Sequence, residues 1–288
     1  MASARILGAI VGCASSVVFA QSALADPAVA APIAPVDAQP LLTPHRAVYD
    51  LSLSNSSGSK APASARGRIA FDFTGSPCEG YVQNFRQITE LQPAEGPPRL
   101  SDMRSATFEA GDGNDFRFRI ETRLDNVQSE DIDGKAKKKP DAPLAVDLAR
   151  PKHSRLDLDG QALFPTEHLR HILASARKGE NILEAKVFDG SGDGEKVFDT
   201  MTVIGKAATG SVQEKAAQIK PLEETRRWPV SISYFEPGKK DEQPVYVLSF
   251  DLYENGISRA LKLDYGDFAL TGEMTELSIL PATANCKK

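Results

Sequence analysis

The clearest pattern in the chain is a series of short runs rich in Val, Ile, Tyr and Phe in residues 226–277, separated by turn residues. Such runs, interrupted by Pro-Gly and Asn-Gly, predict consecutive antiparallel strands. Asn255-Gly256 predicts a type I′ hairpin within residues 253–257, because both residues readily adopt positive φ. Residues 261–265 alternate strictly between apolar and polar side chains, so one face of that strand should be buried and the other solvated.

The same alternation predicts strands in the first two thirds of the chain. These strands are expected at residues 47–53, 65–73, 81–90, 101–109, 116–125, 127–132, 182–188 and 196–204. Arg117 and Arg119 fall on the polar positions of a period-two segment, so we interpret them as solvated charges and not as ligand-binding groups. Asp133-Gly134 predicts a hairpin turn that places the lysines after it on an exposed loop.

One helix is predicted, starting at Pro165-Thr166 with Thr166 as N-cap and ending at Gly179. Its apolar positions repeat at helical spacing at Leu169, Ile172, Leu173 and Ala176. A single amphipathic helix among many strands favours an arrangement in which the helix lies across a curved sheet or plugs it.

The first residues have the features of a signal peptide. Arg5 precedes an apolar run over residues 6–19, and Ala23-Leu24-Ala25 forms a small-x-small site that predicts cleavage after Ala25. An uncleaved membrane helix and a lipoprotein cleavage box ending at Cys13 are the alternatives. No later segment has 18 uninterrupted apolar residues, so we expect a periplasmic protein without a permanent membrane span.

The rest of the chain divides into a leader and a folded region. Residues 26–43 are rich in Ala and Pro and predict a flexible leader. Residues 44–288 are expected to form a single domain. Residues 206–225 lack strong periodicity and are expected to be an exposed insertion in it.

Composition narrows the possible partners. The net charge is −5, and loss of Arg5 with the signal peptide makes the balance more acidic by one unit. The lysines of residues 135–139 form one basic cluster in an acidic chain. Nucleic acid and anionic lipid surfaces are therefore poor candidates as partners.

Two cysteines remain after residues 1–25 are removed: Cys78 and Cys286. In an oxidising compartment, two cysteines in an exported chain are expected to form a disulfide. Free thiols or an intermolecular bridge are the alternatives. The bridge would close a loop of about 200 residues and contribute roughly 5 kcal/mol in the chain-entropy model.

Familiar catalytic and metal-binding motifs are absent or incomplete. Ser57-x-x-Lys60 and Ser175-x-x-Lys178 lack the Lys-Thr-Gly strand that accompanies this spacing in penicillin-recognising enzymes. In residues 167–171 the two histidines, His168 and His171, are three positions apart and the glutamate precedes them, which does not match a zincin. The glycines and acids of residues 189–194 predict a hairpin turn. We therefore expect no enzyme activity, no cofactor and no metal.

Several segments of the mature chain, in the same order, resemble the EipB-like family of periplasmic cell-envelope integrity proteins of alphaproteobacteria. The segments are residues 45–53, 75–81, 165–168, 188–190, 228–235 and 252–258, followed by the C-terminal Cys286. The resemblance implies a many-stranded antiparallel β-spiral, an open barrel-like rolled sheet with a helix. It also implies a Cys78–Cys286 disulfide and a role in envelope homeostasis, and it supplies no catalytic residues.

Two functional hypotheses follow. The first, which we favour from the sequence, is a non-enzymatic envelope protein that acts as a scaffold or through a protein partner, which a core filled to normal density would support. The second is a carrier or sensor of a lipid, glycolipid or lipoprotein acyl chain, which small inward residues and aromatics at the mouth of a cavity would support. A Ser–His pair in the cavity would favour a third possibility, a hydrolase.

Overall fold

The computed structural model describes residues 41–57, 61–158, 161–239 and 242–282, which all fall within one compact unit. The first eight strands are β1 His45–Ser56, β2 Ser64–Ser76, β3 Gly80–Gln92, β4 Arg99–Glu109, β5 Asp115–Leu124, β6 Val127–Lys137, β7 Leu144–Arg150 and β8 Ser154–Leu158. The remaining elements are α1 Pro165–Lys178, β9 Ile182–Val187, β10 Phe198–Ile204, α2 Lys220–Glu223, β11 Arg227–Phe235, β12 Tyr246–Tyr253, β13 Ser258–Asp264 and β14 Phe268–Ile279.

The strands form a single antiparallel sheet of 14 strands in the order β8-β7-β6-β5-β4-β3-β2-β1-β14-β13-β12-β11-β10-β9. Strands β1–β8 and strands β9–β14 are two meanders, and the pairing of β1 with β14 joins them at the centre of the sheet. In the part of the chain that the structure describes, the edge strands β8 and β9 do not pair with each other. The predicted fold class, an open rolled sheet with a helix, is confirmed.

A cluster of aromatic side chains, next to a parallel bridge between Leu163 and Val187 of β9, connects the two ends of the sheet. Phe116 and Phe118 on β5 meet Phe164 before α1 and Phe188 after β9. The Phe116 and Phe164 rings stack with centroids 4.9 Å apart, and Phe188 meets Phe118 edge-on at 5.5 Å. We call these four rings the seam. A Cβ at Gly190 would lie 2.4 Å from the Phe118 ring, so the loop after β9 packs tightly on β5.

Helix α1 lies across the interior of the rolled sheet. Its apolar face, with Ile172 and Leu173 fully buried, packs in one cluster with Phe73 from β2 and Trp228 from β11. These two strands belong to different meanders. The expectation that the helix lies across a curved sheet is therefore met.

Three local predictions were wrong. The N-cap of α1 is Phe164, so Thr166 lies inside the first turn. Gly256 has positive φ and Asn255 does not, so the hairpin has a three-residue loop with a bulge and not a type I′ turn. Asp133-Gly134 lies within β6, where a Cβ at Gly134 would be 2.6 Å from the ring of Phe118. Gly134 therefore allows the Phe118 ring to pack closely against β6, and it does not form a turn.

Two segments contain residues that are more buried than the sequence predicts. Leu42, assigned to a flexible leader, is buried beside Trp228, and the Thr43 N–H donates to the Asn255 carbonyl. Most residues of the segment 206–225 are exposed, as expected, but Ala217 and Leu222 within it are fully buried and anchor it. Their burial extends the cluster beneath β13 and β14. The predicted signal peptide, residues 1–25, and most of the predicted leader lie outside the described residues.

Candidate ligand cavity

The rolled sheet encloses a cavity of about 620 Å³. Its walls come from both meanders, and α1 contributes His168, Leu169 and Ile172. Most of the lining is apolar and includes Ile69, Phe71, Phe73, Phe85, Met103, Ile120, Val187, Ile232, Leu248, Phe250, Leu261 and Leu263. Because strand side chains alternate between the two faces of a sheet, these residues face inward while their neighbours face solvent. A volume of this size is typical of small-ligand sites.

One wall of the cavity carries uncharged polar side chains. This polar strip consists of Gln83 and Gln87 on β3 and Ser105 and Thr107 on β4. Gln83 and Thr107 are register partners. The amide of Gln83 donates to the Thr166 hydroxyl of α1 at 3.1 Å, and the amide of Gln87 approaches the Tyr265 hydroxyl at 3.4 Å. The strip therefore runs from the helix towards the tyrosines.

Five aromatic rings form a continuous arc across strands β10 to β14. The tyrosine arc consists of Phe198, Tyr234, Tyr246, Tyr265 and Phe268, with neighbouring centroids between 5.0 and 6.2 Å apart. Tyr265 is 37% exposed, whereas Phe198 is buried. The arc thus leads from solvent into the cavity. Burial raises the pKa of the Tyr234 and Tyr265 hydroxyls, which keeps both in the neutral form.

Two buried histidines also line the cavity, and both are neutral near pH 7. Burial lowers the pKa of His168 to about 4, and proximity to His171 adds to that effect. The Nε2 atom of His168 is buried without a hydrogen-bond partner. Burial also lowers the pKa of His45, whose Nδ1–H donates to the Thr43 carbonyl at 2.7 Å.

A buried carboxylate holds the start of α1 in place. The two oxygens of Glu109, at the end of β4, accept the N–H groups of Thr166 and Glu167 at 2.7 and 2.8 Å. These are N–H groups of the first turn, which have no partners within the helix. Glu109 therefore supplies the cap that Phe164 cannot, and it positions α1 against the cavity. Burial is the main cause that raises the pKa of Glu109 to about 7.

We expect Glu109 to make stability depend on pH. In the unfolded chain this carboxyl titrates near 4.5, so between pH 4.5 and 7 the folded protein keeps a proton that the unfolded chain loses. Its contribution, about 3 kcal/mol, is complete below pH 4.5 and is lost as the pH rises through 7. Glu109→Gln should remove this dependence, measured by urea unfolding at pH 5 and pH 8.

The effect of Glu109 is the difference in the pH dependence of stability between wild type and Glu109→Gln. His168, which is neutral in the folded protein, makes stability fall as the pH drops below 6.5, and it does so equally in both proteins. Glu95→Gln, at an exposed position, is the matched control and should leave the pH dependence unchanged. Identical pH profiles for wild type and Glu109→Gln would contradict the prediction.

A second depression, of about 870 Å³, lies on strands β4–β8 and is lined largely by their solvent-facing residues. Its charged side chains pair with one another: Arg119 with Asp133, and both Lys135 and Arg155 with Asp147. Arg117 lies over the Phe108 ring, 5.5 Å from its centroid. These pairs agree with the interpretation of Arg117 and Arg119 as solvated charges. The internal cavity is therefore the candidate site.

The structure does not bring the serines and histidines of the incomplete sequence motifs together into a catalytic group. The Ser175 hydroxyl donates to Glu180 at 2.5 Å, His168 is buried while His171 is exposed, and no Ser–His hydrogen bond joins two described residues. No group of metal-binding side chains was found among the described residues. Lys60 lies outside them.

The predicted Cys78–Cys286 disulfide remains a prediction. Cys78 lies in the exposed turn between β2 and β3, and Cys286 lies outside the described residues. No described helix is long and apolar enough to cross a membrane.

Sequence reasoning missed the polar strip and the tyrosine arc. A signal for the strip was present, since Gln83, Phe85 and Gln87 occupy the inward positions of β3. A strand whose buried face mixes glutamine with phenylalanine is unusual for a filled core. Nothing local in the sequence indicates that Tyr234, Tyr246 and Tyr265, each near a strand end, form one arc.

Comparison with known proteins agrees with this architecture. A model of the EipB-like family matches residues 36–281. The cell envelope integrity protein EipB of Brucella abortus (strain 2308) is 38% identical over 245 residues, covering 85% of this chain and 86% of that protein. A crystal structure of a β-barrel-like protein from Brucella abortus superposes with a TM-score of 0.79 at 37% identity, covering 84% of this chain and 99% of that one. The chain belongs to the EipB-like family.

Proposed function

We propose that this protein supports cell-envelope integrity without catalysis, by carrying or sensing an apolar ligand such as a lipid or lipoprotein acyl chain in the periplasm. The observation that carries the proposal is the apolar cavity of about 620 Å³ inside the rolled sheet. A scaffold needs no such space, because cores are normally packed with few voids larger than a water molecule. The name of the Brucella relative supports the envelope role.

The geometry of the entrance supports the same proposal. The tyrosine arc presents rings that are apolar on their faces and polar at their hydroxyls, which suits a site where an apolar chain leaves water. The predicted signal peptide and the Cys78–Cys286 disulfide would place the protein in an oxidising compartment outside the cytoplasm.

Blocking the cavity tests the proposal. Ser105→Trp places a large ring inside, whereas Ala106→Trp places the same ring at the exposed neighbouring position of β4. We expect saturable binding of N-phenyl-1-naphthylamine, an uncharged fluorescent probe, by the wild type. The affinity should fall at least about 10-fold in Ser105→Trp, because the site loses volume, and should stay unchanged in Ala106→Trp. Circular dichroism melting checks that both variants fold.

Absence of saturable binding by the wild type would overturn the proposal. A protein partner is then the remaining candidate, and one surface favours it. Ile182 on β9 and Val203 on β10 are register partners with exposed side chains, next to exposed Met201. Exposed apolar groups of this kind mark contact sites. Loss of a co-purifying partner in Val203→Lys would support that candidate.

A further inference from the structure

The cavity carries little charge, and this limits the chemistry of its ligand. Among the described residues that line it, none is lysine or arginine, and Asp189 is the acidic member. The Asp189 carboxylate accepts the N–H and the hydroxyl of Ser191 at 2.9 and 2.7 Å, so it is held at the wall. A buried anion would therefore meet a fixed carboxylate and no cation, which is strongly unfavourable. The neutral state of His45 and His168 removes the remaining source of positive charge.

The polar strip supplies hydrogen-bonding groups that this protein leaves unused. The hydroxyls of Ser105 and Thr107 have no hydrogen-bond partner among the described residues, although both line the cavity. They lie two positions apart on one face of β4, about 7 Å from each other. A hydroxyl both donates and accepts, so it pairs with an uncharged carbonyl as readily as with an amide. Partly buried polar groups normally find such partners.

Apolar walls and an uncharged polar strip together describe a particular kind of molecule. The walls of both meanders accommodate a hydrocarbon chain, and the strip accommodates a neutral group attached to it. Ester and amide linkages provide such groups, whereas a free carboxylate or a phosphate carries a charge that the cavity does not compensate.

We infer that the cavity selects an acyl chain joined through an ester or amide linkage, with the linkage hydrogen-bonded to Ser105 and Thr107. Free fatty acids and phosphate headgroups are excluded from the same position. This inference rests on the proposed function and specifies its ligand class. The hydrocarbon chain then occupies the apolar wall opposite the polar strip.

Competition against N-phenyl-1-naphthylamine at pH 8 tests the inference. The competitors are methyl laurate, N-methyl lauramide and laurate, which share one chain and differ in charge. At pH 8 laurate is ionised, because carboxylic acids titrate near pH 4–5. We expect the ester and the amide to displace the probe at least about 10-fold more effectively than laurate.

A double variant tests the role of the polar strip. Ser105→Ala with Thr107→Val removes both hydroxyls and should weaken ester and amide competition about 10-fold, measured relative to the affinity of the same variant for the probe. The matched control is Ser52→Ala with Thr271→Val, which removes a hydroxyl pair from the exposed face of the same sheet. The control should compete like the wild type.

The outcomes separate the two proposals. If the wild type binds the probe but laurate competes as well as its methyl ester, selection against charge is wrong and the carrier proposal stands. If ester competition is unchanged in the double variant, the linkage does not bind at the strip. If the wild type does not bind the probe, the carrier proposal itself fails.

Discussion

Replacing Phe188 with alanine is expected to lower the free energy of unfolding by about 3–5 kcal/mol. Its side chain is fully buried, and its ring lies 5.5 Å from Phe118 and 6.4 Å from Phe164. Because the other rings of the seam are fixed by a strand and by the start of a helix, they cannot move inward to fill the space. The loss should appear as a lower urea midpoint with an unchanged m-value.

Two variants serve as controls for this experiment. Phe188→Leu keeps most of the buried volume and should cost less than half as much as the alanine variant. Val127→Ala removes a side chain that is 70% exposed and should change stability by less than about 0.5 kcal/mol. A cost below about 1 kcal/mol for Phe188→Ala would mean that the seam does not hold the two ends of the sheet together.

The second large effect is expected at Glu214, in the segment 206–225. This carboxylate is buried, forms an ion pair with Arg259, and accepts the N–H of Met274 at 2.8 Å and that of Ala260 at 3.2 Å. Glu214→Ala should lower the free energy of unfolding by about 3 kcal/mol. It leaves two backbone donors without their acceptor, and among the described residues the largely buried Arg259 side chain keeps Asp251 as its ion-pair partner.

Urea unfolding measures this loss directly. Glu214→Gln keeps a side-chain oxygen for the N–H groups but removes the charge, so its effect should be smaller than that of alanine. Glu224→Ala removes an exposed carboxylate ten positions along the chain and should stay within about 0.5 kcal/mol of wild type. Equal stability of Glu214→Ala and Glu224→Ala would contradict the assignment of Glu214 as an anchor.

Strands with a clean period of two were predictable from the sequence. The segments 116–125 and 261–265 are β5 and most of β13, because alternation reports directly on one buried face. β7 and β8 were not predicted. β7 alternates Leu144, Val146 and Leu148 at buried positions, but it is short and follows a lysine-rich segment that we interpreted as an exposed loop.

Turn-forming residue pairs predicted local structure less reliably, because contacts with residues distant in the sequence decide the backbone conformation at these positions. Asp133-Gly134 has the composition of a turn, yet the ring of Phe118 requires a glycine inside the strand. The two-residue turn with positive φ at both positions is Asp125-Asn126, between β5 and β6. The cap of α1 comes from Glu109, more than 50 positions earlier, so no local sequence motif predicts it.

The candidate site was predictable only in outline. A rolled sheet with an incompletely filled interior was one of two hypotheses, and the sequence analysis favoured the other, a scaffold or a protein that acts through a partner. The decisive residues, such as Ser105 and Thr107, are ordinary strand residues whose importance depends on which face they share with α1. That relation exists only after the sheet has curled.

The pairing of β1 with β14 has a consequence for how the chain is made. Ser52 and Thr271, which meet across this ladder, are separated by 219 positions. During synthesis the edge of β1 that will face β14 therefore stays unpaired until the last strand emerges. An unpaired edge is a template for pairing with other chains. The newly made polypeptide is thus most vulnerable to aggregation, and most dependent on chaperones, just before its final strand arrives.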